Sequence, residues 1–178
     1  DVKRGKIEAE KSFVRLALYI SFFPQLVAGP IVRYTDISKE LESRKTTLEN
    51  ISKGITRFAT GLGKKVIISN ILAEFTARMI NSASPTTLGF WLYAVSYCLQ
   101  VYFDFSGYSD MAIGIGKMFG FTFPENFNYP YISRSVSEFW RRWHITLSSF
   151  FRDYVYIPLG GNRVSLPRQI FNLFTVWA

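Results

Sequence analysis

One run of the sequence limits the fold more than any other: residues 88–103, LGFWLYAVSYCLQVYF, contain no charged side chain. The run is shorter than the roughly 20 residues that a helix needs to cross a bilayer. We therefore expect the helix to extend either backward over Thr86 or forward past Asp104. The forward extension brings Asp104 and then Asp110 into the protein, where an ionisable group is costly unless it faces protein or water.

The composition also favours a membrane environment. Hydrophobic residues make up 48% and aromatic residues 17% of the 178 positions. Charged residues reach 19%, below the roughly 25% of soluble proteins. The net charge of +8 is typical of proteins that bind nucleic acid or an anionic membrane surface. Because the basic residues form no long run and alternate with apolar segments, we expect a lipid bilayer and no nucleic acid as the partner.

The first hydrophobic segment is a candidate membrane span. Residues 12–32 include only one charged residue, Arg15, which lies close enough to one end to reach the interface. Pro24 and Gly29–Pro30 interrupt this span. Residues 33–53 carry mixed charge and predict a solvated loop or a short interfacial helix.

A second segment, from Ile55 to Ile80, has apolar residues at intervals of three and four, which predicts a helix. Lys64, Lys65 and Glu74 indicate that this helix is tilted or partly buried in protein. No internal repeat occurs. The segments together predict an all-α, polytopic membrane fold with about three spans and an amphipathic re-entrant element.

The single cysteine and the two ends add further expectations. Cys98 excludes an internal disulfide, and its apolar neighbours predict a small buried side chain and no reactive thiol. The chain opens on DVKRGKIEAEK, without Met or an apolar leader, and closes within the apolar segment QIFNLFTVWA. We therefore expect residues 1–178 to be one partial domain of a larger membrane protein, truncated at both ends.

Glycines follow the uncharged run, at positions 107, 114, 116 and 120. The segment GIGKMFG differs from a dinucleotide-binding fingerprint because its last glycine comes one residue late and no strand precedes it. Glycines at such spacing let helix backbones approach closely, and we expect that role here.

The next segment, residues 121–135, cannot continue a helix, since FTFPENFNYPYISRS contains two prolines and two asparagines. Two interpretations remain open from these residues alone. The segment is either an ordinary surface loop or a loop that dips into the protein and lines a cavity.

After this loop, Ser135 is a suitable helix N-cap, and Glu138 is its capping-box partner. Apolar residues then recur at intervals of three and four and predict one amphipathic helix over residues 136–154. Its polar side carries Arg141, Arg142, Ser148 and Ser149. A helix with Trp and Arg at its margins is typical of an element that lies at an interface or re-enters the membrane.

His144, the only histidine, lies at the edge of the apolar face of this helix. One interpretation is a hydrogen-bonded core residue. The other is a general base or a residue that orients one, because the pKa of imidazole is close to neutral pH. Other chemistries have less support: no Gly-x-Ser-x-Gly elbow occurs, and one His with one Cys gives no metal site by ligand count, although carboxylates such as Asp104 and Asp110 could contribute to one.

Four segments resemble the membrane-bound O-acyltransferase family: FFPQLVAGPIVRY, FDFSGYSDMAIGIGKMFGF, FPENFNYPYISRS and EFWRRWHITLSSFFRDYVYIPLGGNR. The resemblance covers about residues 12–178 and is nearest to the bacterial branch, which includes alginate O-acetyltransferases and the D-alanyl transfer proteins of teichoic acids. It implies that His144 is one of two active-site polar residues. The second is a histidine of a Trp-His-Gly segment, which the resemblance places beyond Ala178, so the fragment alone is expected to be inactive.

The resemblance further implies an O-acyltransferase in the bacterial plasma membrane, with several passes. We expect it to move an acyl group, foremost acetyl, to a hydroxyl of an exported, alginate-like cell-surface polysaccharide, or of a periplasmic or extracellular partner protein that serves it. The donor is expected to be a cytosolic acyl thioester such as acetyl-CoA, with no bound cofactor. The alternatives are D-alanyl transfer to teichoic acid and a non-enzymatic transporter or channel, which would also show broken helices and a buried Asp.

Within this interpretation, His144 activates or positions the attacking hydroxyl. Arg141 and Arg142 are expected to be structural or to face the donor, and Asp104 to accept a hydrogen bond in helix packing. The remaining residues expected to line the substrate channel or support the site are Asn126, Asn128 and Ser148.

Overall fold

The computed structural model describes residues 1–25, 29–81 and 86–177, and all regular elements in these ranges are helical, as predicted. The α-helices are α1 (Phe13–Ser21), α2 (Tyr34–Glu42), α3 (Leu48–Gly63), α4 (Asn70–Ile80), α5 (Thr87–Met118), α6 (Val136–Arg142), α7 (Ile145–Phe151) and α8 (Leu166–Trp177). Two π-helical segments, Lys64–Ser69 and Arg152–Tyr156, continue α3 and α7. The chain forms two compact units, Asp1–Pro124 and Glu125–Ala178.

The first unit has a small aromatic and aliphatic core beside α1 and α2. The ring of Phe22 lies 4.7 Å from that of Phe121 and 5.7 Å from that of Phe123, centroid to centroid. Ile37 and Leu41 of α2 complete the core, which explains why α2 forms in a segment with mixed charge. The prediction of a solvated loop or interfacial helix for residues 33–53 therefore missed that one face of this helix is buried.

α3 and α5 pack closely because glycines face each other along the crossing. A Cβ atom on Gly61 would lie 2.5 Å from the carbonyl oxygen of Gly107, and one on Gly54 would lie 2.7 Å from that of Gly114. Since Gly54 pairs with Gly114 and Gly61 with Gly107, the two helices run antiparallel. This contact confirms the expected role in helix packing for Gly107 and Gly114, but not for Gly116, which lies against the ring of Phe123, or for Gly120, which follows the end of α5.

Acidic residues of α5 pair with bases that precede them in the chain. Asp110 is 6% exposed, and its carboxylate accepts bonds from Arg57 Nη2 at 2.7 Å and Lys64 Nζ at 2.6 Å. Asp104 pairs with Lys65. α5 runs to Met118 and therefore extends forward past Asp104, which is one of the two extensions expected. The carboxylate of Asp104 accepts a hydrogen bond from Lys65 Nζ.

One expectation for the first unit is confirmed and one is wrong. α1 ends at Ser21, shortly before Pro24, which cannot donate a backbone hydrogen bond, so the helix is interrupted at this proline as predicted. Residues 26–28 of that segment lie outside the described residues. Cys98 is exposed, not buried, because it lies on an apolar part of α5 where Val95 and Tyr97 are exposed as well.

Among the described residues, no helix is both long and apolar enough to qualify as a membrane span. The expected spans therefore stay a prediction.

The second unit is built from three short helices and the loops between them. Ser135 caps α6 as predicted, since its Oγ accepts from the backbone N–H of Glu138 at 3.1 Å. The rings of Trp140 and Trp177 meet edge to face at 4.5 Å and join α6 to α8. Asn172 of α8 donates to the carbonyl oxygen of Leu159 at 3.2 Å and holds the turn after the second π-helical segment.

The prediction of a single amphipathic helix over residues 136–154 is wrong. The helix is interrupted after Arg142, because the backbone of Trp143 is extended (φ −104°, ψ 126°) and that of His144 is left-handed (φ 44°, ψ 54°). Neither residue is Gly or Pro, and the apolar spacing continues across the break, so the pattern alone gave no sign of it. The cause lies in contacts with the preceding loop.

Candidate functional site

The break between α6 and α7 places His144 at a defined point. α6 ends where the backbone N–H of Trp143 donates to the carbonyl oxygen of Phe139 at 2.9 Å. α7 begins one residue after His144, whose carbonyl oxygen accepts from the N–H of Ser148 at 3.0 Å. The histidine is therefore the residue at which the chain changes direction.

Backbone groups of the preceding loop hold both sides of this break. The N–H of Ile145 donates to the carbonyl oxygen of Asn126 at 2.9 Å, and the N–H of Asn128 donates to that of Arg142 at the same distance. Arg142 Nη1 also donates to the carbonyl oxygen of Asn128 at 3.2 Å. Because helix ends leave backbone groups without intrahelical partners, these bonds stabilise the break.

Asn126 contacts His144 with its side chain as well. It is 0% exposed, and its Oδ1 lies 3.0 Å from Nδ1 of His144. The same oxygen accepts from Oγ1 of Thr146 at 2.9 Å and from the backbone N–H of Thr146 at 3.3 Å. One buried amide oxygen thus organises the start of α7.

Aromatic rings surround the histidine. The ring of Phe127 lies nearly parallel to the imidazole, with centroids 6.5 Å apart, and meets Trp143 edge to face at 5.1 Å. Trp143 stacks on Phe139 at 5.5 Å. The imidazole is half-buried, and this burial lowers the pKa of His144 below its usual value. The neutral ring is therefore the main form at pH 7, as a general base requires.

The other residues expected at the site differ in their surroundings. Arg142 pairs with Glu138 at 2.9 Å and braces the loop, so its contacts are structural. Asn128 contributes its backbone, while its side chain is exposed. Ser148 lies one turn after His144 on α7, and Arg141 is exposed on α6. Asp104 belongs to the first unit, where it pairs with Lys65.

Thr146 and Phe127 contact the site but were missed in the sequence. Thr146 is buried and shares the amide oxygen of Asn126 with His144. Its position two residues after His144 carried no signal, because a threonine inside a predicted helix is unremarkable. Among the described residues, no group of three His, Cys, Asp or Glu side chains could hold a metal ion.

Comparison with known proteins gives consistent matches. The model of the MBOAT, membrane-bound O-acyltransferase family matches residues 9–178. The chain is 49% identical to the probable alginate O-acetylase of Pseudomonas fluorescens over 98% of the chain and 35% of that protein. It is 48% identical to the peptidoglycan O-acetyltransferase of Helicobacter pylori, over 85% of the chain and 30% of that protein.

A more distant relative is the teichoic acid D-alanyltransferase of Bacillus subtilis, at 34% identity over 88% of the chain and 41% of that protein. The chain thus spans between 30% and 41% of the length of these three relatives.

Proposed function

Since the chain belongs to the membrane-bound O-acyltransferase family, we propose that the protein transfers an acetyl group from a thioester to a hydroxyl of an exported cell-surface polysaccharide. The observation that carries this proposal is the half-buried imidazole of His144, held at a helix break by a fully buried amide. The relatives with acetyl transfer in their names are also more similar to this chain than the D-alanyl relative is.

In the proposed reaction, His144 acts as the general base. Its neutral imidazole takes the proton of the acceptor hydroxyl while the hydroxyl oxygen forms a bond to the carbonyl carbon of the thioester. The carbon–sulfur bond breaks, the sulfur leaves as a thiol, and the proton held by His144 is returned to it. General base catalysis of this kind contributes roughly 10²- to 10⁴-fold.

We propose acetyl-CoA or another cytosolic acyl thioester as the donor, and a multi-pass location in the bacterial plasma membrane. The acceptor is an alginate-like polymer, or an exported partner protein that passes the acetyl group to it. Teichoic acid D-alanylation is the second candidate, favoured by 34% identity to an enzyme with that name. Labelling cells with ¹⁴C-acetate or ¹⁴C-D-alanine and identifying the group esterified to the exported polymer distinguishes the two.

The test of the proposed function is His144→Gln in the full-length protein. Gln retains hydrogen bonding but cannot act as a base near neutral pH, so polymer acetylation should fall by roughly 10²-fold or more at normal membrane abundance. His144→Ala, which removes the hydrogen bond as well, is measured beside it. Near-normal acetylation by the Gln variant, combined with low abundance of the Ala variant, would show that His144 is structural only.

A further inference from the structure

The side-chain oxygen of Asn126 has a fixed orientation. Asn126 Oδ1 accepts from the backbone N–H of Thr146, a group that can only donate. Rotating the amide by 180° would set the NH₂ group against this N–H and lose the bond. The orientation shown is kept although Nδ2 is buried and has no hydrogen-bond partner among the described residues. An amide oxygen therefore faces His144, and an amide oxygen can only accept.

This orientation determines where the proton of His144 lies. Because Asn126 Oδ1 is an acceptor 3.0 Å from Nδ1, the imidazole must donate from Nδ1. We propose that Asn126 is a positioning residue, which keeps the proton of His144 on Nδ1 and leaves the lone pair on Nε2 for the acceptor hydroxyl. This inference rests on the proposed function and adds to it the residue that selects the reactive nitrogen.

The surroundings of the ring agree with a positioning role. The backbone bond from Ile145 to Asn126 ties the loop to the start of α7, and the ring of Phe127 lies nearly parallel to the imidazole. Burial alone accounts for the lowered pKa of His144. The charged residues on the segments packed around it are not among the causes of that shift; they are Glu125, Glu138, Arg141, Arg142, Arg152 and Asp153.

The test is Asn126→Asp in the full-length protein, assayed in isolated membranes as thiol release from acetyl-CoA between pH 5 and 9. A carboxylate still accepts from Nδ1 but also stabilises the imidazolium, so it raises the pKa of His144. Since the neutral ring is the active form, the acidic limb of kcat/KM should move to higher pH by about one unit or more. Activity above that limb should stay within about tenfold of wild type, because the tautomer is retained.

Asn172→Asp is the matched control. Asn172 is the other fully buried asparagine of this unit, and its Nδ2 donates to Leu159. The substitution should lower the abundance of the protein through the loss of this bond, but the acidic limb of kcat/KM should stay at the same pH as in the wild type. A limb that shifts equally in both variants, or in neither, overturns the role of Asn126.

A second variant keeps the inference testable if Asn126→Asp does not accumulate. Asn126→Ser offers a hydroxyl that both donates and accepts, so it no longer selects the tautomer. Transfer per molecule should then fall by roughly tenfold or more with the limb unmoved. Wild-type transfer by Asn126→Ser contradicts the inference. If His144→Gln is inactive in the same assay, wild-type transfer by Asn126→Ser would exclude only the role of Asn126 and would leave the proposed function intact.

Discussion

His144 and Tyr129 both have a φ of 44°, and among the described residues they are the non-glycine positions with positive φ. For most L-residues the left-handed region costs roughly 1–2 kcal/mol. At His144 the backbone bonds of Asn126 and Asn128 to the flanking residues offset that cost. The chain therefore adopts an unfavourable conformation at the residue to which we assign the chemistry, a pattern that is common at active sites.

The backbone conformation at His144 predicts an order of stability that is independent of activity. The His144→Asn variant should be more stable than the His144→Val variant, because Asn tolerates the left-handed region and a β-branched residue does not. We expect a difference of about 1–2 kcal/mol, seen as a lower melting temperature of the detergent-solubilised Val variant.

The control is the pair Ser148→Asn and Ser148→Val on α7, where the backbone is helical and Asn and Val have similar helix propensities. These two variants should melt at similar temperatures. Equal stability of the two His144 variants would contradict the left-handed conformation.

At the scale of elements, the crossing of α3 and α5 depends on the absence of side chains. Gly61 and Gly107 bring the backbones together, and the pairing of Asp110 with Arg57 and Lys64 lies beside them. Close approach and ion pairing are connected, because a wider crossing would separate the carboxylate from its bases and leave a buried charge.

Gly61→Leu should therefore destabilise the protein by at least about 1–3 kcal/mol through overpacking, and by more if the ion pairs are lost. Gly63→Ala, two residues along the same helix, is the control, since a Cβ there meets nothing within 4 Å. Alanine should be neutral or stabilise by roughly 1 kcal/mol. Thermal unfolding in detergent compares the two, and a Gly61→Leu variant as stable as wild type would exclude the glycine contact.

The elements differ in how much the sequence could predict. The cap at Ser135 and the extension of α5 past Asp104 depend on local sequence. Ser135 is a polar residue directly before an apolar repeat, which predicts a helix cap. The uncharged run 88–103 is too short to cross a bilayer alone, which predicts that the helix continues beyond one of its ends. The break at His144 has no local signal, because the loop around Asn126, 18 residues earlier, provides the bonds that stabilise it. Asn126 could be named as a supporting residue from its loop, but its contact with His144 follows only from the three-dimensional structure.

At the scale of the whole molecule, large apolar side chains remain exposed along the first third of α5. Phe90, Trp91 and Val95 are all exposed, on a helix of 32 residues that is roughly 48 Å long. A bilayer core is about 30 Å thick, so α5 has the length to cross it with residues to spare. Exposed apolar area of this extent is unusual for a soluble monomer, and we interpret the first half of α5 as facing lipid.

Val95→Lys in the full-length protein tests this interpretation. Val95 lies about 12 Å from the start of α5, and a lysine in the hydrocarbon region costs roughly 2.5–3.5 kcal/mol, so membrane abundance after an alkaline carbonate wash should fall several-fold. Val2→Lys is the control, because Val2 is exposed to a similar degree, 50% against 56%, but is followed by Lys3 and Arg4. On a water-exposed surface both changes would alter stability by less than about 0.5 kcal/mol. Equal abundance of the two variants, or recovery of the wild type in the carbonate-soluble fraction, would therefore place this face of α5 in water and contradict the membrane assignment.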